Sequence, residues 1–231
     1  MMRRTATAPA WVMASCLLIA GSHAMAGGHF DVDDAGTLDP GQCQYEVWAG
    51  RTGGADPLRF QHVGPACRVG PVELGFNVDR AAVAGSGSAA FLGPQLKWTF
   101  FGSAADAPLS AALSAGAIFD VTNGGRSGGQ FAVPLSWQAM PGLTVNANLG
   151  SDWATGTGAR TGRGGIGAEW AVTDGVSLIA ERHRAFTLWT SRVGLRFGLT
   201  PLMSIDVSAA RTGPDGLRSV VVGLNHEFSR R

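Results

Sequence analysis

Apolar and polar residues alternate one for one in segment after segment of this chain. Val72, Leu74, Phe76 and Val78 are interleaved with Glu73, Gly75, Asn77 and Asp79. Leu92, Pro94, Leu96, Trp98 and Phe100 are interleaved with Gly93, Gln95, Lys97 and Thr99, and Phe131, Val133, Leu135 and Trp137 with Ala132, Pro134, Ser136 and Gln138. Successive side chains of a strand point to opposite faces, so each segment has one apolar face and one polar or small face. A soluble barrel would turn the apolar face inward. The repetition, the aromatic strand ends and an export signal favour the inverse arrangement, with the apolar side to lipid and the polar side to a lumen. The predicted fold class is all-β: a transmembrane antiparallel up-and-down β-barrel of about 12 strands.

Met1 to Ala26 has the layout of a secretory signal peptide. Arg3 and Arg4 give a positive start, Trp11 to Gly21 an apolar stretch, and Ala24-Met25-Ala26 a small-x-small cleavage site. The apolar stretch is too short to span a bilayer as a helix. A lipoprotein site at Cys16 fits less well, because Cys16 lies inside the apolar run, and Arg3-Arg4 lacks the further residues of a twin-arginine signal. Cleavage would leave roughly 205 residues, enough for one domain. The predicted organisation is a signal peptide over 1–26, an acidic periplasmic lead-in over 27–40 and a barrel over 41–231 in the bacterial outer membrane. Charged residues make up 15% of the sequence and 34 residues are glycine, whereas ordinary soluble proteins carry ~25% charge. No later stretch approaches the ~20 continuous apolar residues of a membrane helix. A net charge of +1 gives no bulk attraction to nucleic acid.

The alternation predicts strands at 41–49, 59–69, 72–80, 91–101, 109–119, 130–138, 142–150, 164–172, 176–184, 188–198, 202–210 and 218–228. An even count puts both ends of the barrel on the periplasmic side. The outward loops are then 50–58, 81–90, 120–129, 151–163, 185–187 and 211–217, mostly long and Gly-rich. The periplasmic turns are mostly short and carry Gly70-Pro71, Met140-Pro141, Asp174-Gly175 and Thr200-Pro201. The loop at 185–187 is the exception to the asymmetry. Aromatics gather toward strand ends on the lipid side: Trp98, Phe100, Phe119, Phe131, Trp137, Trp170, Trp189, Phe197 and Phe228.

Hairpin registers bring opposite charges together on the polar face, which stabilises strand pairing. Arg68 falls opposite Glu73, Glu73 opposite Lys97, Glu181 opposite Arg192, and Arg196 opposite Asp206. The predicted lumen lining is Glu46, Arg68, Glu73, Lys97, Glu169, Glu181, Arg192, Arg196, Asp206 and Glu227. Arg68, Glu73 and Lys97 form one cluster; the other two pairs form a second. A hairpin centred near Ala55 places Cys43 opposite Cys67, in an oxidising compartment, so a structural disulfide is expected, with two unpaired thiols as the alternative. No Cys-x-x-Cys spacing supports redox catalysis.

No catalytic residue, metal ligand or cofactor is predicted. His29, His62, His183 and His226 have no short metal-ligand spacing. His183 and Ser191 lie one strand apart but on opposite faces, which disfavours a lipid hydrolase. Asp31-Val32-Asp33-Asp34-Ala35-Gly36 partly imitates a calcium loop, yet its twelfth position is Gln42, where a bidentate Glu is required. The Gly-rich stretch 156–165 lacks the strand-to-helix setting and Lys-Ser/Thr end of a phosphate cradle and is expected to be an external loop.

Phe30-Asp31-Val32-Asp33-Asp34-Ala35-Gly36-Thr37-Leu38-Asp39-Pro40-Gly41-Gln42, followed by Gln44-Tyr45-Glu46, resembles the opening of the proteobacterial outer-membrane proteins named after the meta-pathway (MetA) of phenol degradation. Val72-Glu73-Leu74-Gly75, Leu92-Gly93-Pro94-Gln95-Leu96-Lys97-Trp98 and Ile179-Ala180-Glu181 extend the resemblance over most of the mature chain. It implies an outer-membrane transporter or channel for small aromatic or other hydrophobic compounds. Such barrels commonly finish on an aromatic residue, whereas here Ser229-Arg230-Arg231 follow Phe228. The expected function is passive passage of a small-molecule solute through a polar lumen. A non-conducting barrel presenting external loops is the second reading, and an outer-membrane lipid hydrolase the third. Expected partners are outer-membrane lipid and lipopolysaccharide, the barrel assembly machinery and the solute, with no nucleic acid. The sequence leaves open whether the acidic segment 30–40 hangs free, enters the lumen or docks on a periplasmic partner.

Overall fold

The computed structural model describes residues 28–83, 85–103 and 107–229. The predicted signal peptide, with its alternatives, lies outside the described residues, as do Arg230 and Arg231. Twelve strands follow in order: β1 (Gln42–Thr52), β2 (Leu58–Val69), β3 (Val72–Val83), β4 (Gly87–Phe101), β5 (Leu109–Asp120), β6 (Gly125–Met140), β7 (Leu143–Ala154), β8 (Arg160–Thr173), β9 (Val176–Ala185), β10 (Leu188–Thr200), β11 (Met203–Thr212) and β12 (Leu217–Ser229). Each pairs antiparallel with its sequence neighbours, and β1 pairs with β12, closing the barrel. Closure leaves no strand edge with unpaired backbone groups, the condition for a sheet to exist in lipid.

The period-2 pattern sorts the side chains as expected. Val47, Val63, Leu74, Phe76, Val78, Leu96, Leu149, Ile166, Leu195, Val207 and Val222 are all exposed on the outer surface. On the alternate, inward positions of the strands Glu73, Lys97, Asn148, Glu181, Arg196, Asp206 and Asn225 are buried. The core of this molecule is therefore polar and its surface apolar, inverted from a soluble protein. Trp98, Phe100, Trp137, Trp170, Phe197 and Phe228 are exposed toward the end where the chain enters and leaves the barrel.

All four predicted charge registers are present: Arg68↔Glu73, Glu73↔Lys97, Glu181↔Arg192 and Arg196↔Asp206. Cys43 stands opposite Cys67, and the two are joined by a disulfide with an S–S distance of 2.06 Å. Turns at the chain-terminal end are tight. Gly70 precedes Pro71 with φ 60°, and Gly142 follows Pro141 with φ 79°, conformations that suit glycine.

At the opposite end the connections are shorter than the sequence implies. Val83 pairs with Gly87, Asp120 with Gly125 and Trp153 with Arg160, so the loops expected over 81–90, 120–129 and 151–163 shrink to their tips. The strands continue past the apolar band, where lipid no longer imposes alternation, and small residues such as Gly128 and Gly129 still keep the backbone ladder with Ala154 and Trp153. Phe186 and Thr187 form a two-residue turn between Ala185 and Leu188, with φ 47° and 76°. That primed geometry matches strand twist, but asks two non-glycine residues to adopt left-handed backbone.

Candidate functional site

Of the stretch 27–40 predicted as a periplasmic lead-in, Gly28 to Leu38 runs inside the barrel, while Asp39 and Pro40 are exposed. Ala35 is 0% exposed, Leu38 3%, His29 5% and Val32 7%. An extended segment in the lumen must satisfy its backbone groups from the wall, and inward side chains of most of the strands engage it. Arg68 (β2) donates to Thr37 Oγ1 and Leu38 O at 2.7 and 2.8 Å, and Glu73 (β3) accepts Leu38 N–H at 3.0 Å. Thr99 (β4) donates to Ala35 O at 2.6 Å, Ser136 (β6) accepts Ala35 N–H at 2.8 Å, and Asn148 (β7) donates to Asp33 O at 3.1 Å. Glu181 (β9) accepts the N–H groups of Asp31 and Val32 at 3.0 and 2.8 Å. Arg192 (β10) meets Asp31 Oδ2 at 2.6 Å, and His29 Nε2 meets Ser208 Oγ (β11) at 2.6 Å.

This arrangement changes the partners of the wall charges. Glu181 with Arg192 (3.0 Å) and Arg196 with Asp206 (2.8 Å) make the ion pairs their registers predict. Arg68, Glu73 and Lys97 hold the predicted positions, yet each turns to the segment. Lys97 Nζ lies 2.8 Å from Asp33 and 3.5 Å from Asp34, rather than pairing with Glu73. Arg196 also reaches Glu169 at 3.1 Å. Glu46 faces inward, its carboxylate approached by Gln44 Nε2 at 3.4 Å. Glu227 lies opposite Gln44, near the chain-terminal mouth.

Glycines make room for the segment. A Cβ at Gly167 would stand 3.3 Å from Val32 Cβ, one at Gly194 2.9 Å from Phe30 Cζ, and one at Gly223 3.0 Å from His29 Nδ1. These positions, and the roles of Asp31, Asp33 and Asp34 as partners of wall cations, escape the sequence reading. The excess of glycine at inward positions of β8, β10 and β12 was the visible signal. Burial, with the Arg192 guanidinium second, pushes the His29 imidazole down to about 4, so the ring is neutral at neutral pH.

A cavity of about 250 Å³ remains beside the segment. Seven carboxylates line it (Asp31, Asp33, Asp34, Glu46, Glu73, Glu169, Glu181) against the cations Lys97, Arg163 and Arg196. Trp48, stacked on His62 with ring centroids 4.6 Å apart, forms an aromatic patch in its wall, and His62 Nδ1 is 2.7 Å from Asp79.

Two other chemistries can be weighed on this geometry. Asp31, Glu181 and His183 bring possible ligand atoms within 4.8 Å of one another. The Arg192 guanidinium, however, is ion-paired with both carboxylates, 2.6 Å from Asp31 and 3.0 Å from Glu181, so their charge is already countered by the protein. His183 and Ser191 do lie on opposite faces, one buried and one exposed. Ser208 and His29 do meet, but inside the lumen, and among the described residues His29 Nδ1 has no partner to orient the ring as a general base needs.

Solved structures with this fold include the KdgM porin, 9% identical, covering 80% of this chain and 99% of that one with a TM-score of 0.63. An outer-membrane channel from Pseudomonas putida F1 is 12% identical, covers 84% of this chain and 98% of its own, and has a TM-score of 0.57. Outer membrane phospholipase A from Escherichia coli is 9% identical, with coverages of 81% and 95% and a TM-score of 0.52. At these identities the likeness establishes the barrel and nothing about its chemistry. No curated protein matches the chain. A family match over residues 14–221 takes in the lumen segment and the first eleven strands, and by it the chain belongs to the family described as uncharacterised conserved protein UCP029691.

Proposed function

We propose that this protein is an outer-membrane channel for passive passage of small solutes, with its own N-terminal segment folded into the lumen as an internal plug. The observation that carries the reading is the polar interior: a wall of charged and amide side chains around a residual cavity of about 250 Å³. The residual space is what favours a channel over a scaffold: side chains fill a bore of about eight strands, whereas these twelve leave a cavity beside the segment. The mechanism is diffusion past fixed charges, with selectivity set by diameter and local electrostatics. Carboxylates outnumber cations around the cavity, which favours cations or neutral polar solutes over anions. One structure with this fold is the KdgM porin in complex with oligogalacturonate. That anionic ligand is not transferred here, because it would face the acidic wall. The resemblance to the phenol meta-pathway proteins points to small aromatic compounds, and the Trp48–His62 stack offers such a solute a flat apolar contact. The predicted export signal, the lipid-facing surface and Phe228 as a closing aromatic suit delivery to the outer membrane by the barrel assembly machinery. A catalytic role is not proposed, as among the described residues no group orients His29 at its contact with Ser208.

The scaffold reading keeps one observation in its favour, the plug itself. Planar-bilayer conductance of the refolded protein, compared with a variant lacking residues 28–40, separates the two. The channel reading expects small or absent steps from the full protein and larger, salt-scaling steps from the deletion, with a reversal potential favouring cations. An inserted deletion variant that stays silent would leave the scaffold as the better account.

A further inference from the structure

A row of arginines crosses the outer surface at the end of the barrel opposite the chain termini. Arg182 on β9 and Arg211 on β11 are both register partners of Ser191, which lies between them on β10. Arg211 stands directly opposite Arg218 on β12, and Arg51 directly opposite Arg59 across β1 and β2. Arg51 is the register partner of Val220, two residues along the same face from Arg218, so the row continues across the seam that closes the barrel. Arg80, partner of Gln61, extends it onto β3. All six are exposed and share their strands' outward face with Val47, Val63, Val78, Ala180, Val207 and Val222.

Three observations make this row unusual. Two like-charged pairs face each other directly, an arrangement that destabilises a sheet when nothing lies between them. Among the described residues none of the six takes part in an ion pair, although Lys97, Arg163, Arg192 and Arg196 in the lumen all do. The opposite end carries exposed Leu74, Trp98, Trp137, Trp170 and Phe197 on the same outward face, and among the described residues no Lys or Arg. Long cationic side chains near that end of the apolar surface can extend to the headgroup level of one leaflet only.

We infer that this arginine row is a docking surface for the phosphate groups of the anionic glycolipid in the outer leaflet. Guanidinium groups bind phosphate bidentately. Neighbouring strands are about 4.8 Å apart, so a phosphate seated between Arg51 and Arg59, or between Arg211 and Arg218, accepts hydrogen bonds from both. The anion thereby turns a repulsive pair into an attractive triad. Arg182, whose guanidinium lies 5.1 Å over the Trp189 ring, is held at the same level by that aromatic.

The inference rests on the outer-membrane placement proposed above. Its test is native mass spectrometry of the refolded protein released from micelles that contain bisphosphorylated lipid A or the same lipid after dephosphorylation. The comparison includes the fourfold variant R51Q/R59Q/R211Q/R218Q and its lysine counterpart. The wild-type barrel is expected to retain the phosphorylated lipid roughly tenfold better than the dephosphorylated one. The glutamine variant should lose that preference and the lysine variant keep most of it. Equal retention of the two lipids by the wild type, or an undiminished preference in a folded glutamine variant, would overturn the docking surface. Gel mobility without heating reports folding, and if the glutamine variant does not fold, the wild-type comparison decides alone. A protein that fails to insert into vesicles would overturn the membrane placement and this surface together, whereas an inserted barrel blind to phosphate overturns the surface only.

Discussion

The lumen and the outer rim of this barrel carry the same residue type under opposite rules. Inside, Arg163, Arg192 and Arg196 each bond a carboxylate, and Arg68 bonds a hydroxyl and carbonyls. On the rim, Arg211 faces Arg218 and Arg51 faces Arg59. The difference lies in solvent. A cation enclosed by the wall cannot be hydrated fully and needs a partner from the same chain, while one at the membrane surface can wait for a partner from outside. A polar interior must therefore be complete within the folded protein, and a rim need not be.

The largest effect that tests this contrast should come from Arg196→Met. It strands Asp206, which is 0% exposed. Removing one member of a buried pair costs about 3–5 kcal/mol, read as a lowered urea midpoint in micelles. Arg218→Gln should move the same midpoint by less than about 0.5 kcal/mol. Equal effects would break the distinction between the regions. Gly167→Val, which forces new methyl groups against Val32, should cost about 1–3 kcal/mol by overpacking. It should also raise conductance by displacing the plug; unchanged current and stability would mean the segment is not packed there in solution.

The turn that links the two regions gives a smaller effect. Phe186 N–H donates to the fully buried Asp152 at 3.0 Å, and Asp152 also holds Arg163 at 3.1 Å. An inward carboxylate thus anchors a rim hairpin. Thr187→Gly should stabilise the barrel by about 1 kcal/mol through relief of its left-handed backbone, and a destabilised variant would show that Thr187 makes a compensating contact. The smallest effect belongs to the rim itself. Arg211→Gln with Arg218→Gln should stabilise the protein in neutral detergent by about 0.2–1 kcal/mol at low salt, and the gain should vanish near 1 M salt as charges are screened. A gain that survives high salt would sink the like-charge explanation.

Much of the fold was legible in the sequence because lipid imposes its demand locally. Every second residue facing hydrocarbon must be apolar, so strand positions, inward faces and even the register of Glu181 against Arg192 follow from counting. The outer hairpins were less legible. Beyond the lipid that demand ends, and Gly128 and Gly129 look like loop although they pair with β7. The Phe186-Thr187 turn carries no glycine or asparagine to announce it. The interior was half legible: inward charges could be named, but their partners could not.

What the sequence determined by itself was the inverted barrel, the faces of its strands and the juxtaposition of Cys43 with Cys67, all consequences of period-2 geometry between near neighbours. What only the tertiary structure decided was the fate of the acidic segment. Lys97 was expected opposite Glu73 and does stand there, yet its ammonium goes to Asp33, 64 residues away in the chain. That choice depends on space left by Gly167, Gly194 and Gly223 on strands far along the sequence, and on backbone groups that only a closed wall can satisfy. No local pattern encodes it, because the cavity that receives the segment exists only once β1 has met β12.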